Sequence, residues 1–272
     1  MVTKGARTGE RGTSILEVLI ALIITGLITT AILKLYVTQH RNYIVQDDIT
    51  EIQQSARASI DELTRQIRMA GNMLPVGLDP IKAANTNPDT ITITYRLDGC
   101  DTYLSDPMPL PSAELKCGSD ISCFEDSQWV YIFHPDSGGG EWFVLTEVQA
   151  AARHLQHNTM DLSRAYTADA IILTMKQIKF YVDNTTDPEH PTLMISIPGE
   201  SPHVFAENIS DLQFRYRLKN GVVVDVPVLT SDIREVIISV TGQSRYPDSE
   251  SDDNARRTRT YTSSVNLRNL GV

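Results

Sequence analysis

Glu17 is a carboxylate near the start of an apolar run, "TSILEVLIALIITGLITTAIL", that begins at Thr13. The chemistry this placement calls for is charge pairing in lipid. An acid in mid-helix costs roughly 2.5–3.5 kcal/mol on insertion scales, and less near an interface. In one reading Glu17 snorkels among headgroups. In the other, a cation meets it inside the membrane. A free α-amine at Thr13 could be that cation, and it would exist only after a cut behind Gly12. Two neighbouring helices, offset along their axis, would then pair one amine with the next carboxylate. Such a pair fixes axial register and hides both charges from lipid.

Other residues of chemical type form weaker patterns. Cys100, Cys117 and Cys123 allow at most one internal disulfide and leave one thiol over. The segment "CGSDISC" favours Cys117–Cys123 because a short loop closes easily. Cys100–Cys117 and three reduced thiols are the alternatives. In "RHLQH", His154 and His157 could share a helical face, but no third and fourth zinc ligand follows at suitable spacing. "PDSESDDN" has carboxylates for Ca²⁺ in an order unlike the EF-hand loop, and it reads as a solvated acidic hairpin tip. "RRTRT" from Arg256 reads as charge paired across that hairpin or lining an edge strand. "SGGGE" lacks the Lys-Ser/Thr of a phosphate loop and reads as a hairpin turn. No nucleophile–base set is visible, so the chain is not expected to be an enzyme. No cofactor or metal is expected either.

The elements that must position Glu17 follow from periodicity. Val18 to Leu33 carries no charge. With its flanks it makes an apolar helix over 13–37. At about 1.5 Å per residue this exceeds the roughly 30 Å hydrocarbon thickness. The basic leader in front places the N-terminus in the cytoplasm and the body across the inner membrane. A secretory signal peptide is the rival, disfavoured by the length of the run and the lack of a small-x-small site after it.

The helix is expected to continue. Ile49, Ile52, Ala56, Ile60, Leu63, Ile67 and Ala70 recur at steps of three or four. Asp61 and Arg65 are spaced to support each other. Gly71 supplies a C-cap, and Pro75 prevents simple continuation. One helix thus runs from Thr13 to about Ala70.

From Thr90 the period becomes two. "TITITY", "WVYIF", "EWFVLTEV", "AIILTM", "QIKFYVD", "TLMISI", "LQFRYRL", "VVVDVPV", "REVIISVTG" and "RTYTSSVNL" read as strands. No helix separates them, so pairing is mainly antiparallel. The stretch from about Leu74 to Gln128 reads as a long loop with one strand in it. The expected fold is α+β, a long N-terminal helix packed on a mainly antiparallel β-sheet body. Its segments are a leader over 1–12, the membrane helix over 13–37, an amphipathic helix over 38–71 and a β-rich body over 72–272.

Charge limits the partners. The formal net charge is −10. Lys4, Arg7 and Arg11 against Glu10 give the first twelve residues +2, so the remainder carries −12. An acidic body is a poor phosphate binder, and no nucleic acid is expected.

"RGTSILEVLIAL" resembles the type III signal of type IV prepilins and pseudopilins. It has a basic leader, a Gly, Glu as the fifth mature residue, and then an apolar helix. In that family a membrane aspartyl peptidase cuts after the Gly and N-methylates the new terminus. The resemblance therefore implies cleavage at Gly12–Thr13, methylation of Thr13 and an assembly role for Glu17. The first mature residue is commonly Phe in the family and is Thr13 here.

"RNYIVQDDITEIQQSARASIDELTRQIRMAG", "AENISDLQFRY" and "YTSSVNLRN" extend the resemblance to the PilW-type minor pilins, with the J-type pseudopilins of type II secretion close behind. The stretch from about Pro75 to Ser127 carries little of it. The implied partners are other minor and major pilins, the prepilin peptidase, an inner-membrane assembly platform and a cytoplasmic ATPase. The implied final location is the pilus at the cell surface. A tip adhesin or DNA-capture module is a further alternative, for which Trp129, Trp142 and the Arg256 cluster are the candidate contacts.

Overall fold

The computed structural model describes residues 14–75, 78–96, 99–137, 139–248 and 255–269. The leader, Gly12, Thr13 and most of the acidic loop (249–254) lie outside the described residues.

One helix, α1 (Ile15–Met69), heads the chain. Ser14 precedes it, and the Ser14 Oγ accepts from the Leu16 N–H at 3.3 Å. "SILE" is a capping-box spacing, with Glu17 three residues after the cap. At the other end Gly71 takes φ +77, a left-handed turn that glycine enters without steric cost. The Gly71 N–H donates to the Thr94 carbonyl at 3.0 Å, tying the helix end to the sheet.

Sixteen strands are described: β1 (Ile81–Ala84), β2 (Thr90–Tyr95), β3 (Asp101–Tyr103), β4 (Leu115–Lys116), β5 (Trp129–Phe133), β6 (Gly140–Val144), β7 (Glu147–Gln149), β8 (His154–Gln156), β9 (Ile171–Leu173), β10 (Lys176–Asp183), β11 (Thr192–Ser196), β12 (His203–Glu207), β13 (Ile209–Leu218), β14 (Val223–Val224), β15 (Ile233–Pro247) and β16 (Arg256–Asn266). They form sheets ordered β1-β2-β10-β11-β12, β14-β13-β15-β16, β3-β9-β5-β6 and β4-β8-β7. Every pairing is antiparallel. The architecture is α+β, a long helix whose C-terminal part packs on antiparallel sheets.

By contacts the chain divides at Thr50/Glu51. In the first unit every described residue from Ser14 to Ile44 is exposed. In the second, the stripe of α1 is buried: Ile52, Ala56, Leu63, Ile67 and Ala70 are each at most 3% exposed. Ala56, Leu63, Ile67 and Ala70 share a core with Ile91 and Ile93 of β2, Phe180 of β10, Phe214 of β13 and Ile238 of β15.

Two polar residues on that face are also buried. The Ser59 hydroxyl donates to the Ser55 carbonyl at 2.7 Å. Gln66 accepts from the Tyr95 hydroxyl at 2.8 Å and donates to Glu62 at 2.7 Å. The ion pair expected between Asp61 and Arg65 forms instead between Glu62 and Arg65, at 2.7 Å. Glu62 is three residues away on the same face and already held by Gln66.

At Gly242 of β15 the helix lies close against the sheet. A Cβ built there would lie 2.9 Å from Ile52 Cγ2 and 3.4 Å from the Ile52 carbonyl oxygen. Gly242→Val should therefore destabilise the second unit by about 1–3 kcal/mol, the usual cost of overpacking. Gly242→Ala, which the Ile52 side chain can evade, should cost less than half of that. Denaturation of the full chain in detergent checks both values.

The stretch 74–128 differs from expectation, holding β1 to β4 rather than a single strand. Tyr95 at the end of β2 lies opposite Lys176 at the start of β10. The chain therefore leaves a β-hairpin at Arg96 and returns to it at Met175. Residues 96–175 are an insertion with two sheets and their own core of Leu104, Leu115, Val130, Ile132, Phe143, Leu155 and Ile172. The expected strand "VVVDVPV" also shrinks, to Val223–Val224. Pro227 has no N–H for a ladder, and Val228 is 97% exposed.

Candidate functional site

The feature of α1 that bears on function is its first unit. Ile15, Leu16, Val18, Leu19, Ile20, Leu22, Ile23 and Ile24 are all at least 49% exposed, and the apolar exposure continues to Val37. Among the described residues, α1 is the one helix long and apolar enough to cross a membrane. Its hydroxyls are satisfied internally. Thr25, Thr29 and Thr30 donate to the carbonyls of Ala21, Thr25 and Gly26 at 2.7–2.8 Å. Three polar side chains can thus face hydrocarbon without unpaired donors.

Glu17 is exposed, in the first helical turn. Its backbone N–H donates to the Ser14 carbonyl at 3.0 Å. Capping and the positive end of the helix dipole favour an acid there by about 0.3–1 kcal/mol. That offsets only part of the roughly 2.5–3.5 kcal/mol cost of a carboxylate in hydrocarbon.

The cysteines pair differently from both expected pairings. Cys100 bonds to Cys123, and Cys117 is free and buried. The short Cys117–Cys123 loop does not close: Cys117 is held in an antiparallel backbone bridge with Leu104. The Cys117 thiol donates to the Leu115 carbonyl at 3.7 Å, and burial pushes it up to about 11.

Cys100 also sits at the neck of the insertion, with Arg96. The Arg96 guanidinium is buried and donates to the carbonyls of Thr174 at 3.2 Å and Cys100 at 3.0 Å. It pairs with Asp101 at 3.5 Å. Thr174 adds bonds to the Cys100 carbonyl from its N–H (3.0 Å) and its hydroxyl (3.2 Å). Sequence reading missed Arg96, because nothing local marks a charge that will be buried.

The remaining candidates have structural occupations. His154 lies in a strand, not a helix, and pairs with Glu114 at 3.4 Å. His157 is buried, with its ring nitrogens 2.9 Å from the Met160 carbonyl and 2.8 Å from the Ala113 carbonyl. Among the described residues, no group of three or more His, Cys, Asp or Glu could hold a metal ion.

Arg256 pairs with Glu189 at 3.2 Å, and Arg257 with Asp248 at 2.7 Å across the β15–β16 hairpin. Of "SGGGE", Gly140 and Glu141 belong to β6, paired with Phe133 and Ile132 of β5, and Gly138 lies outside the described residues. Trp142 is half-buried, edge-on to Tyr131 and donating to Gln177 at 3.3 Å. Trp129 sits over Gly199. A groove of about 570 Å³ between β1 and the Val226–Ser231 segment is lined mainly by apolar residues, with Asp79 and Lys82 at its wall.

No family model, curated protein or solved structure matches the chain.

Proposed function

We propose that this chain is a minor pilin subunit, an assembly component made as a membrane precursor and processed by a prepilin peptidase. The observation that carries the reading is the pairing of the "RGTSILE" signal with a single 55-residue helix. The signal contains a cleavable Gly12 and an acid at Glu17. The helix offers an exposed apolar first part and a buried stripe from Ile52 onward.

In this reading the precursor spans the inner membrane with its N-terminus in the cytoplasm and its body outside. The peptidase cuts after Gly12 and methylates Thr13. The apolar helix then passes from lipid into a filament core, where apolar contact with neighbouring helices replaces lipid. Glu17 pairs with the terminal nitrogen of an adjacent subunit and sets the axial offset. The body presents a surface to other minor and major pilins, and the assembly platform and its ATPase drive extraction. A J-type secretion pseudopilin would use the same physics in another machine.

Intact-mass measurement of the chain from cells with and without the peptidase tests the reading. The expected result is loss of Met1–Gly12 only where the peptidase is present, with one added methyl on Thr13. A chain that retains those residues in both strains would refute it.

A further inference from the structure

The three cysteines differ in access. Cys123 is exposed, on the connection between β4 and β5. Its partner Cys100 is 7% exposed, and Cys117 is 5% exposed. We propose that Cys123 is a site of thiol–disulfide exchange on the folded protein, where an external thiol of the dithiol-oxidoreductase class forms a mixed disulfide. The attacking thiolate bonds to Cys123 Sγ as the Cys100–Cys123 bond breaks. The electron pair of that bond passes to Cys100 Sγ, which takes a proton from solvent. A second thiol of the reagent then displaces Cys123. The reagent ends as a disulfide, and the protein as a dithiol.

Access directs the attack. Exchange requires in-line access to a sulfur, and only the Cys123 side of the bond belongs to an exposed residue. The leaving residue is Cys100, whose carbonyl holds the Arg96 guanidinium at 3.0 Å. The segment does not depend on the disulfide for its place. Ile121 (0% exposed) and Phe124 (4%) are buried in the core of the insertion, and the Gly118 N–H donates to the Tyr103 carbonyl at 2.8 Å. Opening the bond therefore frees residues near Cys123 without unfolding the insertion. Reshuffling is blocked as well, because the Cys117 thiol is buried and stays protonated in neutral solution.

The test uses the full oxidised chain in detergent micelles with reduced glutathione at pH 8, followed by acid quench and peptide mass mapping. Glutathione is expected on Cys123, with Cys117 unmodified. Cys117→Ala should exchange at the same rate within about twofold. Glutathione on Cys100 or Cys117, or exchange no faster than global unfolding in the same buffer, overturns the proposal. In Cys100→Ser the freed Cys123 should be alkylated by iodoacetamide within minutes, while Cys117 is labelled only after denaturation. A Cys123 that resists iodoacetamide in that variant overturns it equally.

Discussion

Glu17→Gln should leave the protein inserted and cleaved but cut its share in sheared filaments by roughly a hundredfold. The estimate is the size of one uncompensated charge. If the neighbour's terminal amine enters the helix bundle without its carboxylate, about 3 kcal/mol per subunit is lost, close to two powers of ten in association. The Gln variant separates this role from capping. Gln is nearly isosteric with Glu, and a capping box accepts either residue. Were Glu17 needed only to cap α1 behind Ser14, Gln would cost at most about 1 kcal/mol and filaments would be nearly normal. Glu17→Asp keeps the charge on a shorter arm and should fall between the two. Quantitative immunoblots of sheared filament and membrane fractions from the same cells give the ratio. Normal incorporation of the Gln variant would remove charge pairing from the account of assembly.

Arg96→Ala should open the insertion and leave the rest of the body folded. Arg96 is 5% exposed and supplies donors to two carbonyls from one guanidinium. Removing it leaves the Thr174 carbonyl short of that donor and Asp101 without its cation. Asp101 is half-exposed, so the cost comes from the two lost guanidinium–carbonyl bonds, roughly 1.5–3 kcal/mol each. The loss should be local, because Arg96 lies where the chain leaves β2 and Thr174 where it returns to β10. Hydrogen exchange of the full chain in detergent should quicken by about a hundredfold or more at the Leu104 and Thr174 amides, which donate to Ala170 and Cys100. Amides of β13 and β15 should change little. Arg96→Lys keeps the charge but not the planar fork, and should recover only part of the protection. Equal quickening across β3, β9, β13 and β15 would mean that insertion and body unfold as one unit.

Together these two variants separate the regions by function. The first alters how subunits associate and leaves the body intact. The second alters what the body displays and leaves the helix intact. In the proposed reading, Arg96→Ala still assembles.

Several elements could be read directly from the order of residues. The helix expected from Thr13 to about Ala70 is found over Ile15–Met69. Its apolar spacing, its Gly71 stop and its charge-free first part are all local. "TITITY" and "WVYIF" form strands with the bounds that alternation implies. Alternation also showed its limit at "EWFVLTEV". That run breaks into β6 and β7, because Leu145 bonds back to Gln128 and Thr146 bonds to Gln156.

What only the tertiary structure decided depends on groups far apart in the chain. The insertion is invisible locally, since its strands alternate like any others. Only the pairing of Tyr95 with Lys176 shows that a hairpin has been interrupted. Cys100 passes over Cys117, a member of the same buried core, for the exposed Cys123. Asp89 is buried because the Phe214 N–H, 125 residues away, donates to it at 2.8 Å. A helix or strand period reflects backbone geometry repeated every few residues, so neighbours in the chain carry it. A disulfide partner, a buried arginine or a sheet order is set by which distant surfaces bury each other best, and no short window of residues contains that competition.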